Sequence, residues 1–435
     1  MNWANRAGRA LLLGAAARAT HGTFELVCRD RTWEFRGAQP GPSGTLVIDD
    51  ERAFARMLFG GDRGLGESYV DGDWSSPDLV ALLRVALRNA GQFNRLNGAW
   101  SWLSRQRSRL AHWIRANTPI GSRRNIAAHY DLGNEFFRLF LDEDLVYSAA
   151  WYESPSDTLE RAQRQKLDRI CRRLGLGPGD HLLEIGTGWG AFAEHAATRY
   201  GCRVTTTTIS REQHDYARER FAALGEAGRR IHLLFDDYRD LRGRFDRIAS
   251  IEMFEAVGLA HYDDFFSTCD RLLAPDGAIL LQTIAVAEQD FGRTYGRGED
   301  WMQGHVFPGS ELACLSEVLR SVGRVTTLRP FHLEDLGAHY ARTIAQWRAR
   351  FLARRADVER LGFDARFIRT WDLYLAFSQA AFAERHISDV QLLLTRAYHD
   401  GGYVGDPGRI LTATYRPSAT RESASRESAA APGRS

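Results

Sequence analysis

Ten residues constrain the fold of this chain more than any others: His181-Leu182-Leu183-Glu184-Ile185-Gly186-Thr187-Gly188-Trp189-Gly190. An apolar run with a single carboxylate passes into glycines at alternate positions, and Ala191-Phe192-Ala193-Glu194-His195-Ala196-Ala197 then reads as a helix. Strand, glycine turn and helix together make the nucleotide-binding corner of a doubly wound α/β sheet. Glycine lets the backbone turn sharply and approach a ligand with no Cβ between them. The start of the helix offers unpaired N–H groups. The same turn also occurs in α/β domains without a cofactor. The spacing is not G-x-G-x-x-G and no acidic residue ends the next strand, which argues against NAD.

At 435 residues the chain has room for two domains, or for one large domain with additions. Its net charge of +2 gives no global field for nucleic acid, and no aromatic-basic recognition module stands out. The five cysteines (Cys28, Cys171, Cys202, Cys269, Cys314) form no C-x-x-C pair, which points to a reducing compartment and away from a metal site. No apolar run reaches bilayer-spanning length. The run Leu11–Ala17 is closed by Arg18 and reads as a first amphipathic helix rather than a signal segment.

Along residues 1–90, Gly22–Val27 and Thr32–Phe35 alternate like a hairpin, and Gly44–Ile48 reads as a further strand. Gly64–Trp74 is punctuated by glycine, and a helix follows through Leu79–Leu87. A basic and aromatic stretch comes next, with Trp100, Trp102, Arg105, Arg107, Arg109, Trp113, Arg115, Arg123 and Arg124. Tryptophan with arginine suits a lipid headgroup layer, while a solvated linker helix explains the same residues more blandly. From 125 onward the pattern becomes regular. A helix Leu167–Leu174 stops at Gly175, and strands are expected at 181–185, Arg203–Thr208, Ile231–Phe235, Asp246–Ile251, Ala278–Thr283, Val325–Leu328 and near Val390–Arg396. Helical patterns between most of them imply a mainly parallel, Rossmann-like doubly wound sheet with a smaller mixed N-terminal domain. Ligands of such sheets collect at the carboxyl ends of the strands. Residues 343–388 read as a helical insertion whose aromatic stripe (Trp347, Phe351, Trp371, Tyr374, Phe377, Phe382) suits core better than pocket wall. Residues 416–435 repeat Arg-Glu-Ser and are expected to be disordered. The expected division is 1–120, 121–415 and a tail of 416–435.

Eight segments in fixed order go beyond sheet logic. They are His129-Tyr130-Asp131-Leu132-Gly133-Asn134, Phe136–Asp142, Tyr147-Ser148 and Leu182–Gly190, followed by Thr208–Gln213, Asp237–Asp240, Met253–Gly258 and His305–Gly309. Over residues 125–397 the chain closely resembles the cyclopropane-fatty-acyl-phospholipid synthase family, which includes the mycolic acid cyclopropane synthases. Leu65–Gly72 also resembles the N-terminal domain of its longer bacterial members. Glu184-x-Gly186-x-Gly188-x-Gly190 is the form found in S-adenosylmethionine-dependent methyltransferases. The resemblance implies a methyl or methylene transfer from S-adenosylmethionine to the cis double bond of an unsaturated acyl chain in a phospholipid, giving a cyclopropane. It further implies a cytoplasmic enzyme, peripheral to the inner face of the membrane, and a homodimer.

For the cofactor, the resemblance implies Tyr147, Ser148, Gly186, Gly188 and Gly190 at the methionine end, with Glu184 and Ser210 also among the binding residues. It places Thr208 and Gln213 near the ribose, and Asp237 and Tyr238 beside the adenine. Thr208 also suits the end of a threonine-rich strand, and Tyr238 suits core. The alkene carries no acidic proton, so transfer builds a carbocation that must be kept from water. Aromatic faces can stabilise it. Family members hold a bicarbonate ion as the base for ring closure. Its implied ligands here are Glu255, Tyr340, Ile284, Gln282 in place of a histidine, and the backbone at Ala149 in place of a cysteine. Glutamine donates a hydrogen bond but neither titrates nor carries charge. Two outcomes therefore stay open: the ion still binds and the ring closes, or the cation resolves by hydride shift and proton loss into a methylene or methyl branch. Methyl transfer to a soluble substrate, or binding without turnover, are the rival readings.

Overall fold

The computed structural model describes residues 2–29, 31–94, 132–294, 301–307 and 309–397. The stretch from Trp100 to Arg124, the segment His129-Tyr130-Asp131, the expected boundary at 120 and the tail 416–435 lie outside the described residues.

The chain opens on a helix, Trp3–Ala16, capped by the Asn2 side chain. Four strands follow: β1 (His21–Cys28), β2 (Arg31–Arg36), β3 (Gln39–Ile48) and β4 (Trp74–Ser75), ordered β2-β1-β3-β4. The expected hairpin is the antiparallel β1–β2 pair, and β3 lies parallel to β1 on its other side. The glycine-punctuated segment, by contrast, belongs mostly to a helix, Arg52–Val70, broken at Gly61. One of its glycines answers to packing rather than to a turn. A Cβ at Gly66 would stand 2.4 Å from the Trp301 indole.

The second sheet contains β5 (His181–Ile185), β6 (Arg203–Thr207), β7 (Ile231–Leu234), β8 (Phe245–Ile251), β9 (Leu273–Val286), β11 (Leu328–Asp335) and β12 (Ile387–Arg396). Its order is β11-β12-β9-β8-β5-β6-β7, and the short β10 (Ala313–Cys314) pairs with β9. The strands from β9 to β7 are parallel; β12 runs antiparallel between β9 and β11, so β11 points the same way as the parallel strands. The chain winds outward through β6 and β7, then returns to β8 on the far side of β5. That reversal is a topological switch point, where open α/β sheets bind their ligands.

One expected strand is displaced. Val325 closes the helix Leu315–Val325, whose Val318 and Val322 are buried at helical spacing, and β11 begins only at Leu328. Pro330 hides that strand in the sequence, and its place on the sheet edge is where a missing N–H is tolerated. The expected helical insertion comprises Gly337–Ala353, Arg355–Arg360 and Ala365–Ala383. Trp347, Phe351, Trp371 and Phe382 on it are buried in one core with Phe24, Leu46 and Trp74 of the N-terminal sheet. Among the described residues, no helix is long and apolar enough to cross a membrane.

Candidate active site

The glycine corner sits at the carboxyl end of β5. Gly186, Gly188 and Gly190 have φ of 104°, 53° and 90°, a region that favours glycine. Their neighbours differ. A Cβ at Gly186 would come within 2.9 Å of Met253 and one at Gly190 within 2.7 Å of Phe221, whereas one at Gly188 would meet no atom within 4 Å. Two glycines therefore serve close packing, and Gly188 faces open space, as a cradle for a ligand requires. Glu184, buried behind the turn, accepts a hydrogen bond from Thr206 Oγ1 at 2.6 Å, and burial pushes its carboxyl up to about 8.

The expected ribose and adenine residues follow β6 and β7. Thr208 Oγ1 donates to Gln213 Oε1 at 3.0 Å. Ser210 caps the helix Arg211–Ala222 through the Gln213 N–H. The Asp237 carboxylate is held by Arg239 Nε at 2.8 Å and Nη2 at 2.7 Å. Tyr238 lies edge-on to Phe265, with ring centroids 5.4 Å apart, so its ring borders the core.

The residues expected to bind an anion converge on something else. The Ala149 N–H donates to Glu252 Oε1 at 2.7 Å, Gln282 Nε2 to the same oxygen at 2.7 Å, and the Tyr340 hydroxyl to Glu252 Oε2 at 2.6 Å. Ile284 N–H binds Glu255 Oε1 at 2.6 Å instead, beside Thr283 Oγ1 at 2.9 Å. The second hydrogen of the Gln282 amide goes to Asp389 Oδ2 at 2.9 Å, and Gln391 fixes the amide from behind at 3.0 Å. Burial raises the carboxyl of Glu252. It raises Glu255 to about 7, helped by the Glu252 charge, and Asp389 well above the usual range. Glu255 thus ties the turn after β8 to β9.

Sequence reasoning missed Glu252, Asp389 and Lys166. Lys166 is buried on the helix Leu159–Leu174 and donates to Ser148 Oγ at 2.7 Å; burial lowers it to about 8 against the pull of Glu252, Asp142, Asp389 and Glu184. A signal for it existed: of 57 lysines and arginines in the chain, Lys166 is the single lysine. The signal for Glu252 was weaker, a second acid three residues before Glu255.

An aromatic wall joins this acidic cluster to the glycine corner. The Tyr340 ring meets Trp347 at 5.9 Å, Trp347 meets Tyr147 at 5.3 Å, Tyr147 meets Phe137 at 5.5 Å, and Phe137 meets Trp189 at 5.0 Å. Tyr147 and Tyr374 share a hydroxyl hydrogen bond of 2.9 Å.

This strand order, with a glycine corner after its first strand and an open position at Gly188, defines an S-adenosylmethionine-dependent methyltransferase. The chain belongs to the family described as mycolic acid cyclopropane synthetase, which matches residues 118–392. It is 37% identical over 399 residues to a tuberculostearic acid methyltransferase of Mycobacterium tuberculosis, covering 87% of this chain and 89% of that one. It is 35% identical to the cyclopropane-fatty-acyl-phospholipid synthase of Escherichia coli, covering 80% and 87%. Among solved structures, the cyclopropane synthase MmaA2 from Mycobacterium tuberculosis superposes with a TM-score of 0.59 at 29% identity, covering 63% of this chain and 98% of that one.

Proposed function

We propose that this protein transfers a methyl group to the cis double bond of an unsaturated acyl chain carried on a phospholipid, and that the product is a cyclopropane fatty acid. The observation that carries this reading is the aromatic wall between the glycine corner and the acidic cluster. A soluble polar metabolite does not call for it, whereas a hydrocarbon tail that becomes cationic does. When bound, S-adenosylmethionine supplies an electron-poor methyl on sulfur. Gly188 lets the backbone approach it, with Gly186 and Gly190 packing the turn that carries it, and Tyr147 and Ser148 flank it. The rings of Tyr147, Trp347 and Tyr340 pack between the two, and aromatic surroundings there exclude water and attract positive charge. The relative named for phospholipid cyclopropanation supports the substrate class. A branch without a ring is the second reading, favoured by the relative named for tuberculostearic acid.

The test is to incubate purified protein with methyl-labelled cofactor and vesicles of monounsaturated phospholipid. Label should enter the acyl chains, and proton spectra of the product separate ring methylene from exocyclic methylene. Vesicles that remain unlabelled, while label enters a soluble metabolite pool, refute the lipid assignment. The same vesicles in a flotation gradient address peripheral membrane association.

A further inference from the structure

We propose that Glu252 occupies the place of the bicarbonate ion and is itself the base that removes the proton ending the reaction. This rests on the lipid methyl transfer proposed above, and its test separates the two.

The argument is a count of donor hydrogens. The ion's expected ligands offer four at its seat: one on the Ala149 N–H, two on the Gln282 amide and one on the Tyr340 hydroxyl. Three point at Glu252 and the fourth at Asp389. The remaining ligand, the Ile284 N–H, is held by Glu255. No donor of that set is left for an external anion, which would also face the Glu252 carboxylate. Like charges so placed disfavour each other strongly. The residues therefore do not fit a bicarbonate ion.

They fit a side-chain base instead. Three donors on its two oxygens favour the ionised form of Glu252. Glu255 and Asp389, with fewer donors, each leave one oxygen buried without a partner among the described residues, as suits a protonated acid. Glu252 has φ 48°, a left-handed conformation that residues with a side chain rarely adopt. Such strain at a non-glycine residue is held in place by its surroundings and clusters at functional sites. Here the Glu252 N–H donates to Gln282 O at 2.8 Å. The next residue, Met253, abuts Gly186, which sets the base beside the cofactor cradle.

The step balances. After the alkene's π pair has bonded to the methyl carbon, the broken C–S pair stays on sulfur, the donor leaves as the neutral thioether S-adenosylhomocysteine, and the chain bears the one positive charge. A Glu252 oxygen takes one proton from that added methyl. The released C–H pair closes the ring, or after a hydride shift forms the methylene double bond. Carboxylate and cation are both neutralised, and Glu252 returns its proton to water when the product leaves.

The test uses the full chain, Glu252→Gln and Glu252→Gly, the glycine variant being free of backbone strain. Binding of carbon-13 bicarbonate is followed by line broadening, independently of lipid chemistry. Wild type should show no saturable binding, and Glu252→Gly, which frees three donors, should show it. In the vesicle assay, wild type should give equal product in bicarbonate-free buffer. Glu252→Gln should lose product at least 100-fold while binding S-adenosylmethionine within threefold, and Glu252→Gly should regain at least tenfold on adding bicarbonate. Saturable bicarbonate binding by wild type, a bicarbonate requirement of its activity, or a Glu252→Gln enzyme within threefold of wild type overturns the proposal. The expected binding pattern with no lipid product from wild type would support the displacement of the ion and refute the function it was placed in.

Discussion

At the scale of single residues, the three corner glycines are distinct in what they tolerate. Gly188→Ala places a methyl in open space at φ 53°, a strain of about 1–2 kcal/mol, and projects it into the proposed cradle. Gly190→Ala drives a methyl against the Phe221 ring at 2.7 Å, an overpacking cost of about 1–3 kcal/mol added to similar strain. Gly188→Ala should therefore weaken S-adenosylmethionine binding at least tenfold in a calorimetric titration with little loss of melting temperature. Gly190→Ala should lower the melting temperature more than it weakens the binding of the protein still folded. If Gly188→Ala bound the cofactor as wild type does, the open side of the turn would not be the cofactor's side.

At the scale of elements, the helix Leu159–Leu174 is the less obvious half of the site. It begins at a Thr158 cap and ends at a left-handed Gly175, and both signals are plain in the sequence. Its inner face carries Gln163, which donates to the Ser148 carbonyl at 2.9 Å, and Lys166 one turn on. Lys166 is thus a cation set among Glu252, Glu184, Asp142 and Asp389, whose ionised forms it stabilises. Lys166→Met removes that stabilisation, so every one of these carboxyls moves further up. With Glu252 as base, the rising limb of the pH–rate profile should shift to higher pH, with the rate recovering at alkaline pH. Superimposable profiles for wild type and variant would remove Lys166 from the electrostatics of the reaction. The glycine corner could be read in advance because its chemistry lies in one contiguous run. The charged members of the acidic cluster could not: the family resemblance grouped Ala149, Gln282 and Tyr340, but Lys166, Glu252 and Asp389 come from three further segments with no motif to join them. Only the fold brings them together, and until then Glu252 reads as one more acid after a strand. Pro330 and the edge strand it occupies show the opposite failure, in which a local breaker signal was overridden by position in the sheet.

At the scale of the whole molecule, the N-terminal helix Arg52–Val70 and the site share the helix Ala365–Ala383. Asp372 on it accepts from the Tyr69 hydroxyl at 2.7 Å, and Arg369 donates to the Tyr69 carbonyl at 2.6 Å, while Tyr374 faces Tyr147. The site's buried acids consequently load the stability of the folded chain rather than of a loop. Glu184 illustrates the sign. Its carboxyl lies near 8 when folded against an ordinary value of 4.5, so between those values the folded chain binds more proton than the unfolded one. Stability contributed by this group is therefore present at low pH and lost as pH rises through that window. Glu184→Gln keeps the shape and removes the titration. The variant should lose stability at pH 5 through its altered hydrogen bond to Thr206, and the gap to wild type should narrow or reverse by pH 8. Chemical denaturation of both proteins at the two pH values measures this difference directly, and histidines and surface acids cancel because both proteins carry them. A gap that is constant or widens with pH would mean that Glu184 is already ionised in the folded chain, with Lys166 close enough to hold its charge.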